Sequence, residues 1–276
     1  MKLSMLLTTT MSVCVLASNR ADAGPIFLTG HDPDFHAQDS SGARNLLRAG
    51  LNYVTGGTYN DNTHKFLWVE SRLALTSGYR FGELGLNALG LVLGVNYDRV
   101  NAAELATANL SNYTAIAVAS AFGGNLRRAE LDALIARKDD IKNFVNSGHG
   151  VLALSEGLQS GFLGSNPPYF GFLPITISTI PDSPPFSVTP AGAAAPFGLV
   201  NGDVNDPTHN SFGLIAGLTP LDRDRSSNAT TLAGNVQIGD NGFLAIPEPA
   251  SLVLFAAVGV SGIFLRRRRD TPANAA

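Results

Sequence analysis

Asn146–Gly161 reads NSGHGVLALSEGLQSG. Gly148 stops a preceding helix, Gly150 to Leu154 is an apolar run of strand length, and Ser155-Glu156-Gly157 follows at once as a tight turn. A buried strand that ends in a sharp serine turn is how many hydrolases hold their nucleophile. Ser155 is therefore either a nucleophile or the residue standing where one would sit.

Working outward, the residues just before this stretch form the clearest amphipathic helix in the chain, about Arg127 to Asn146. Leu131, Leu134, Ile135, Ile141, Phe144 and Val145 share one stripe, and charged residues cover the other side. Ala115 to Ser120 is near-continuously apolar, as parallel strands buried on both faces are. Further upstream, Ile26 to Thr29 reads as a first strand. Ser40 or Ser41 caps a helix that runs to about Val54, with Leu46, Leu47, Leu51 and Val54 on one face and Gly56-Gly57 as its end. Lys65 to Glu70 reads as a second strand, Leu91 to Asn96 as a third, and Ala102 to Ala106 as a short helix. Strands alternating with helices across short connections predict a doubly wound α/β sheet, mostly parallel, with helices on both faces. After Gly161 the pattern decays. Ile175 to Ile180 and Phe186 to Thr189 have strand character, and Pro181 to Gly198 reads as an exposed excursion.

Open parallel sheets bind ligands beyond the carboxyl ends of their strands. Three such ends carry polar or glycine-rich segments: His31-Asp32-Pro33-Asp34-Phe35-His36, then Ser120-Ala121-Phe122-Gly123-Gly124, then Ser155-Glu156-Gly157. His31, Asp32, Asp34, His36 and Asp39 suit three roles: a divalent cation held by imidazole and carboxylate, a polar rim, or a turn built around Pro33. The expectation carried forward is a binding rim of His31, Asp32, Asp34, His36, Gly123, Gly124 and Glu156, with no metal and no cofactor. Trp68 falls inside a predicted strand and is expected in the core.

SNYTAIAVASAFGGNL, a helix, and then VNSGHGVLALSEGLQ resemble the class I glutamine amidotransferase-like superfold, which includes the ThuA-like proteins. The resemblance covers about Tyr113 to Gln159 and the general order of strands from Ile26, and it implies a flavodoxin-like α/β sandwich. In active members the first segment ends in glycines that help form an oxyanion hole, and the second presents a cysteine in G-x-C-x-G. Here Ala153 stands at the first glycine, Ser155 at the cysteine and Gly157 at the last glycine. His209 lies late in the chain, where the family places its histidine, but Ser211 occupies the position of the glutamate that orients it. A serine needs a base within reach, and an unoriented imidazole loses orders of magnitude in rate. The pair Ser155 and His209 is the candidate catalytic set, with Gly123 and Gly124 near the oxyanion.

The two ends read as addresses. Lys2, the apolar stretch Leu3 to Ala17, and Ala21-Asp22-Ala23 predict a signal peptide over residues 1–23, cleaved by signal peptidase after Ala23. The single cysteine, Cys14, lies inside it, so the processed chain has neither a disulfide nor a thiolate. At the other end, Pro247-Glu248-Pro249 precedes apolar Ala250 to Leu265 and the block Arg266, Arg267, Arg268, Arg269. Arginine costs roughly 2.5–3.5 kcal/mol at a bilayer centre, so four in a row stop transfer and stay cytoplasmic, predicting a single transmembrane helix. This three-part pattern resembles the PEP-CTERM sorting signal of Gram-negative bacteria that make extracellular polysaccharide. The resemblance implies recognition by an exosortase, an inner-membrane intermediate and release to the cell surface or matrix. The expected organisation is signal peptide 1–23, exported domain 24–244, sorting signal 245–269 and tail 270–276.

Charged residues make up 15% of the chain, its net charge is -3, and no basic patch lies outside the terminal arginines, which argues against a nucleic-acid partner. Three functions remain. One is an exported, exosortase-processed surface or matrix protein with a non-catalytic amidotransferase-like domain and exopolysaccharide as candidate partner. The second is a secreted serine hydrolase using Ser155 and His209. The third is a metal- or sugar-binding module centred on His31 to His36.

Overall fold

A computed structural model describes residues 23–75, 77–155, 169–173, 175, 177–205, 209–239 and 242–245. Strand β1 (Gly24–Thr29) leads through the one-turn helix α1 (Pro33–His36) to α2 (Ser41–Val54) and β2 (Phe66–Val69). Helix α3 (Glu83–Ala88), β3 (Tyr97–Val100), α4 (Ala102–Thr107), β4 (Ala115–Val118), α5 (Arg128–Ala136), α6 (Lys138–Asn146) and β5 (Gly150–Ala153) follow. The remainder contributes β6 (Thr179–Ile180), β7 (Ser187–Val188), α7 (Pro190–Ala193), β8 (Ser211–Phe212), β9 (Thr219–Arg223), β10 (Ala229–Gly239) and β11 (Gly242–Ala245).

Among the described residues all eleven strands join one mixed sheet, whose main path runs β3-β2-β4-β5-β1-β10-β8-β6. The first five pair in parallel, and every pairing made by β10 is antiparallel. All four residues of β2, β4 and β5 are buried, because both faces of the sheet are covered. On one face Gly50 of α2 lets that helix sit on Phe27 and Leu152, where an added Cβ would lie 3.0–3.2 Å from their side chains. Helix α6 packs on β1, β5 and β10.

Two expected elements took these forms. Helix α2 begins where Ser40 Oγ accepts from Ala43 N at 3.2 Å, and its buried stripe contains Leu46, Leu47, Leu51 and Val54. Trp68 is fully buried in β2.

Other expectations need correction. The sheet is not mostly parallel, because β10 continues it beyond β1 with antiparallel partners. The residues of β10, ATTLAGNVQIG, include Gly234, Asn235 and Gly239, which read locally as turn formers, yet Gly24 to Thr29 pair with Val236 to Thr231 along it. The third strand starts at Tyr97, not Leu91. Gly94 holds φ +78°, a left-handed value that breaks an extended run, and Val92, Leu93 and Val95 are exposed. The long helix is two helices joined at Arg137 (φ −101°, ψ 19°), whose guanidinium donates to Leu105 O and Ala108 O at 2.9 and 2.7 Å. Among the described residues no helix is long and apolar enough to cross a membrane, and the apolar stretch 250–265 lies outside them.

Candidate functional site

The carboxyl ends of β1, β4 and β5 converge, as the sequence order suggested, and the late segment around His209 closes over them. Gly30 follows β1 and donates its N–H to Thr230 O at 2.7 Å, while its carbonyl accepts from His209 N at 2.8 Å. A Cβ at Gly30 would collide with Asn210 O, so only glycine lets the 209–210 segment approach this closely. That approach places His209 Nε2 3.2 Å from Asp32 Oδ2. The His209 ring also packs on Phe122, with centroids 4.2 Å apart.

Asp32 is the centre of the cluster. It is 2% exposed, and His36 Nε2 stands 3.5 Å from its Oδ1. Burial pushes the Asp32 carboxyl above its ordinary range, and the hydrogen bond and charge of His209 oppose that rise. Gly123, at φ +88°, leaves room for it; a Cβ there would lie 2.5 Å from Asp32 Oδ2. His36 and His209 retain partly exposed edges, whereas the carboxylate between them does not.

Asp34 lies deeper still. Its Oδ2 accepts from Ser120 N at 3.0 Å, its Oδ1 has no hydrogen-bond partner, and burial raises its pKa to about 7, with Asp32 and Glu70 adding to the rise. Glu70, at the end of β2, is also fully buried. It accepts from Trp68 Nε1 at 3.0 Å, from Glu83 N at 3.2 Å and from Gly82 N, and Arg99 Nε lies 3.4 Å away. Burial raises the Glu70 pKa, and Arg99 opposes the rise. Gly82 and Gly85 pack against Asp34 so closely that a Cβ at either would collide with it.

His31 points away from the rim. Its Nε2 pairs with Asp222 Oδ2 of β9 at 2.8 Å with both side chains buried, and Phe186 lies edge-on to the ring at 5.4 Å. Ser155 is fully buried; its N–H donates to His31 O at 3.0 Å and its carbonyl accepts from Ala121 N at 2.9 Å. Gly124 N–H donates to Ser120 Oγ at 2.9 Å, so that amide is already committed within the turn. Ser211 donates to Asp224 Oδ2 at 2.9 Å. The carboxylate beside His209 is Asp32, which the sequence order puts nearly two hundred positions away. Glu70, Asn210, Asp222 and Asp224 carry only a faint sequence signal, an ionisable or amide side chain inside or beside an apolar strand.

Among the described residues no three His, Cys, Asp or Glu side chains are arranged to hold a metal ion. Glu156, Gly157, Ala21, Pro247-Glu248-Pro249 and Arg266 to Arg269 lie outside the described residues, and Ala23 is the first residue inside them. No curated protein matches the chain. Residues 245–269 match the family model of the PEP-CTERM protein-sorting motif, which implies export, a membrane-anchored C-terminal segment and processing by an exosortase.

Proposed function

We propose that this chain is an exported, exosortase-processed surface or matrix protein, with signal peptide 1–23 and sorting signal 245–269, whose α/β body is a scaffold and not a serine hydrolase. We infer further that the body is a rearranged flavodoxin-like, amidotransferase-like sheet. Its order β3-β2-β4-β5 repeats the flavodoxin order 2-1-3-4, and the chain's first strand fills the fifth place. The crevice of such a sheet opens where the order reverses, here between the ends of β2 and β4. In this chain Glu70 and Ser120, just past the ends of β2 and β4, meet Asp34 of α1 and Gly82 and Gly85 at the start of α3 in that place.

The observation that carries the scaffold reading is Ser155. Its side chain is fully buried, so no incoming substrate meets it at the surface of the fold. Exopolysaccharide contact belongs to this reading as the natural partner of a protein released into the matrix.

The Asp32–His209 pair favours a second reading. A buried carboxylate holding an imidazole is what a hydrolase would use to orient its base. A fluorophosphonate probe on the purified full chain separates the two. No covalent labelling is expected. Labelling abolished by both Ser155→Ala and His209→Ala would establish the hydrolase and overturn the scaffold.

A further inference from the structure

A second cleft lies away from the sheet edge, between α2 and the 196–203 segment, with a volume of about 440 Å³. That is within the ~300–1,000 Å³ range of small-molecule sites. Asn45, Arg48 and Asn52 recur at helical spacing along the outer face of α2, with Ala49 between them leaving the floor low. Phe197 and Asp203 form the opposite wall.

We propose that this cleft binds a neutral pyranose sugar. The polar groups are set before any ligand arrives. Arg48 donates to Asn45 Oδ1 at 2.7 Å, and Asn45 Nδ2 donates to Asp203 Oδ1 at 3.0 Å. Asp203, itself buried, fixes its Oδ2 on Val200 N at 2.9 Å. Each carboxylate oxygen can accept another bond, and the guanidinium keeps further donors. Among the described residues nothing bonds the Asn52 amide, which offers one acceptor and two donors. Such a mixture matches vicinal hydroxyls, each both donor and acceptor.

Phe197 supplies the apolar wall. Tyr53 at 4.8 Å and Phe27 at 6.2 Å hold its ring, so a sugar's C–H face meets a surface already in place. Arg48 and Asp203 cancel in charge, which selects an uncharged sugar over a uronate. The sugar class gives the matrix reading a ligand and rests on that reading only for its setting, since the cleft belongs to the folded domain whether or not the chain is sorted.

The test is saturation-transfer difference NMR on the full chain in a detergent without a sugar head group. D-Glucose, D-galactose and D-mannose are titrated, with D-glucuronate as the charged control. At least one neutral sugar is expected to bind with Kd on the order of 1–10 mM. Asn52→Ala and Arg48→Gln, on the outer face of α2, should each weaken it about tenfold, the loss of one hydrogen bond in such a site. Ser155→Ala should leave it unchanged. Trp68 emission checks that each variant is folded. No transfer from any neutral sugar, tighter binding of glucuronate, or binding indifferent to both variants would overturn the proposal. A failure of sorting would instead appear as uncleaved protein and leave these titrations untouched.

Discussion

Asp34→Asn should stabilise this protein at neutral pH and remove much of its pH dependence. Asp34 is fully buried, one oxygen accepts from Ser120 N, the other has no partner, and its pKa is raised from 3.8 to about 7. Between these values the folded state holds a proton that the unfolded chain has released. The contribution of Asp34 to stability therefore falls as pH rises from 3.8 to about 7, on the order of 4 kcal/mol across that window, and does not change further above it. Asparagine keeps an oxygen for Ser120 N and cannot ionise. The variant should match the wild type near pH 4 and exceed it by a few kcal/mol at pH 7.5. Trp68 is the chain's single tryptophan and donates to Glu70 beside this cluster, so urea unfolding followed by its emission reports directly. Asp32 and Glu70 have pKa values raised in the same direction, so some pH dependence persists in the variant. A stability difference between Asp34→Asn and wild type that is the same at pH 4.5 and pH 7.5 would refute the reasoning.

Three further outcomes follow from the geometry. Gly123→Ala combines a left-handed φ of +88° with a Cβ 2.5 Å from Asp32 Oδ2, and thermal unfolding should show a loss of more than about 1 kcal/mol. A Tm equal to wild type would mean the 122–124 turn can reshape freely. Asp222→Ala removes the hydrogen-bond partner of buried His31 Nε2 and should cost about 1–3 kcal/mol in urea unfolding, whereas Asp222→Asn, which keeps an acceptor, should cost far less. Equal effects of the two substitutions would show that packing alone matters there. Deleting Pro247-Glu248-Pro249 should leave uncleaved chain in the inner-membrane fraction on immunoblots; normal processing would contradict the sorting assignment.

The local parts of this structure were legible in the chain. Ser40 announces α2 because a serine oxygen satisfies an open backbone amide, and the apolar runs at Ala115 and Gly150 announce strands buried on both faces. The pivot at Arg137 was less legible, since it depends on partners elsewhere. Arg137 ends a helix because two distant carbonyls, Leu105 O and Ala108 O, hold its guanidinium.

The C-terminal sorting motif is readable without any fold, since its three parts are adjacent and stand in order along the chain. Strands β1, β2, β4 and β5 were readable in the same way, because each carries its own apolar run, whereas the edge strand β3 was not. What lies at the sheet edge depends on long-range strand pairing. The antiparallel β10 brings Asn210 against Gly30 and so sets His209 on Asp32, while β9 brings Asp222 beneath His31. Those pairs join residues nearly two hundred positions apart. Which carboxylate meets which imidazole is fixed by strand pairing and by the close approach that a glycine permits, and neither leaves a local pattern.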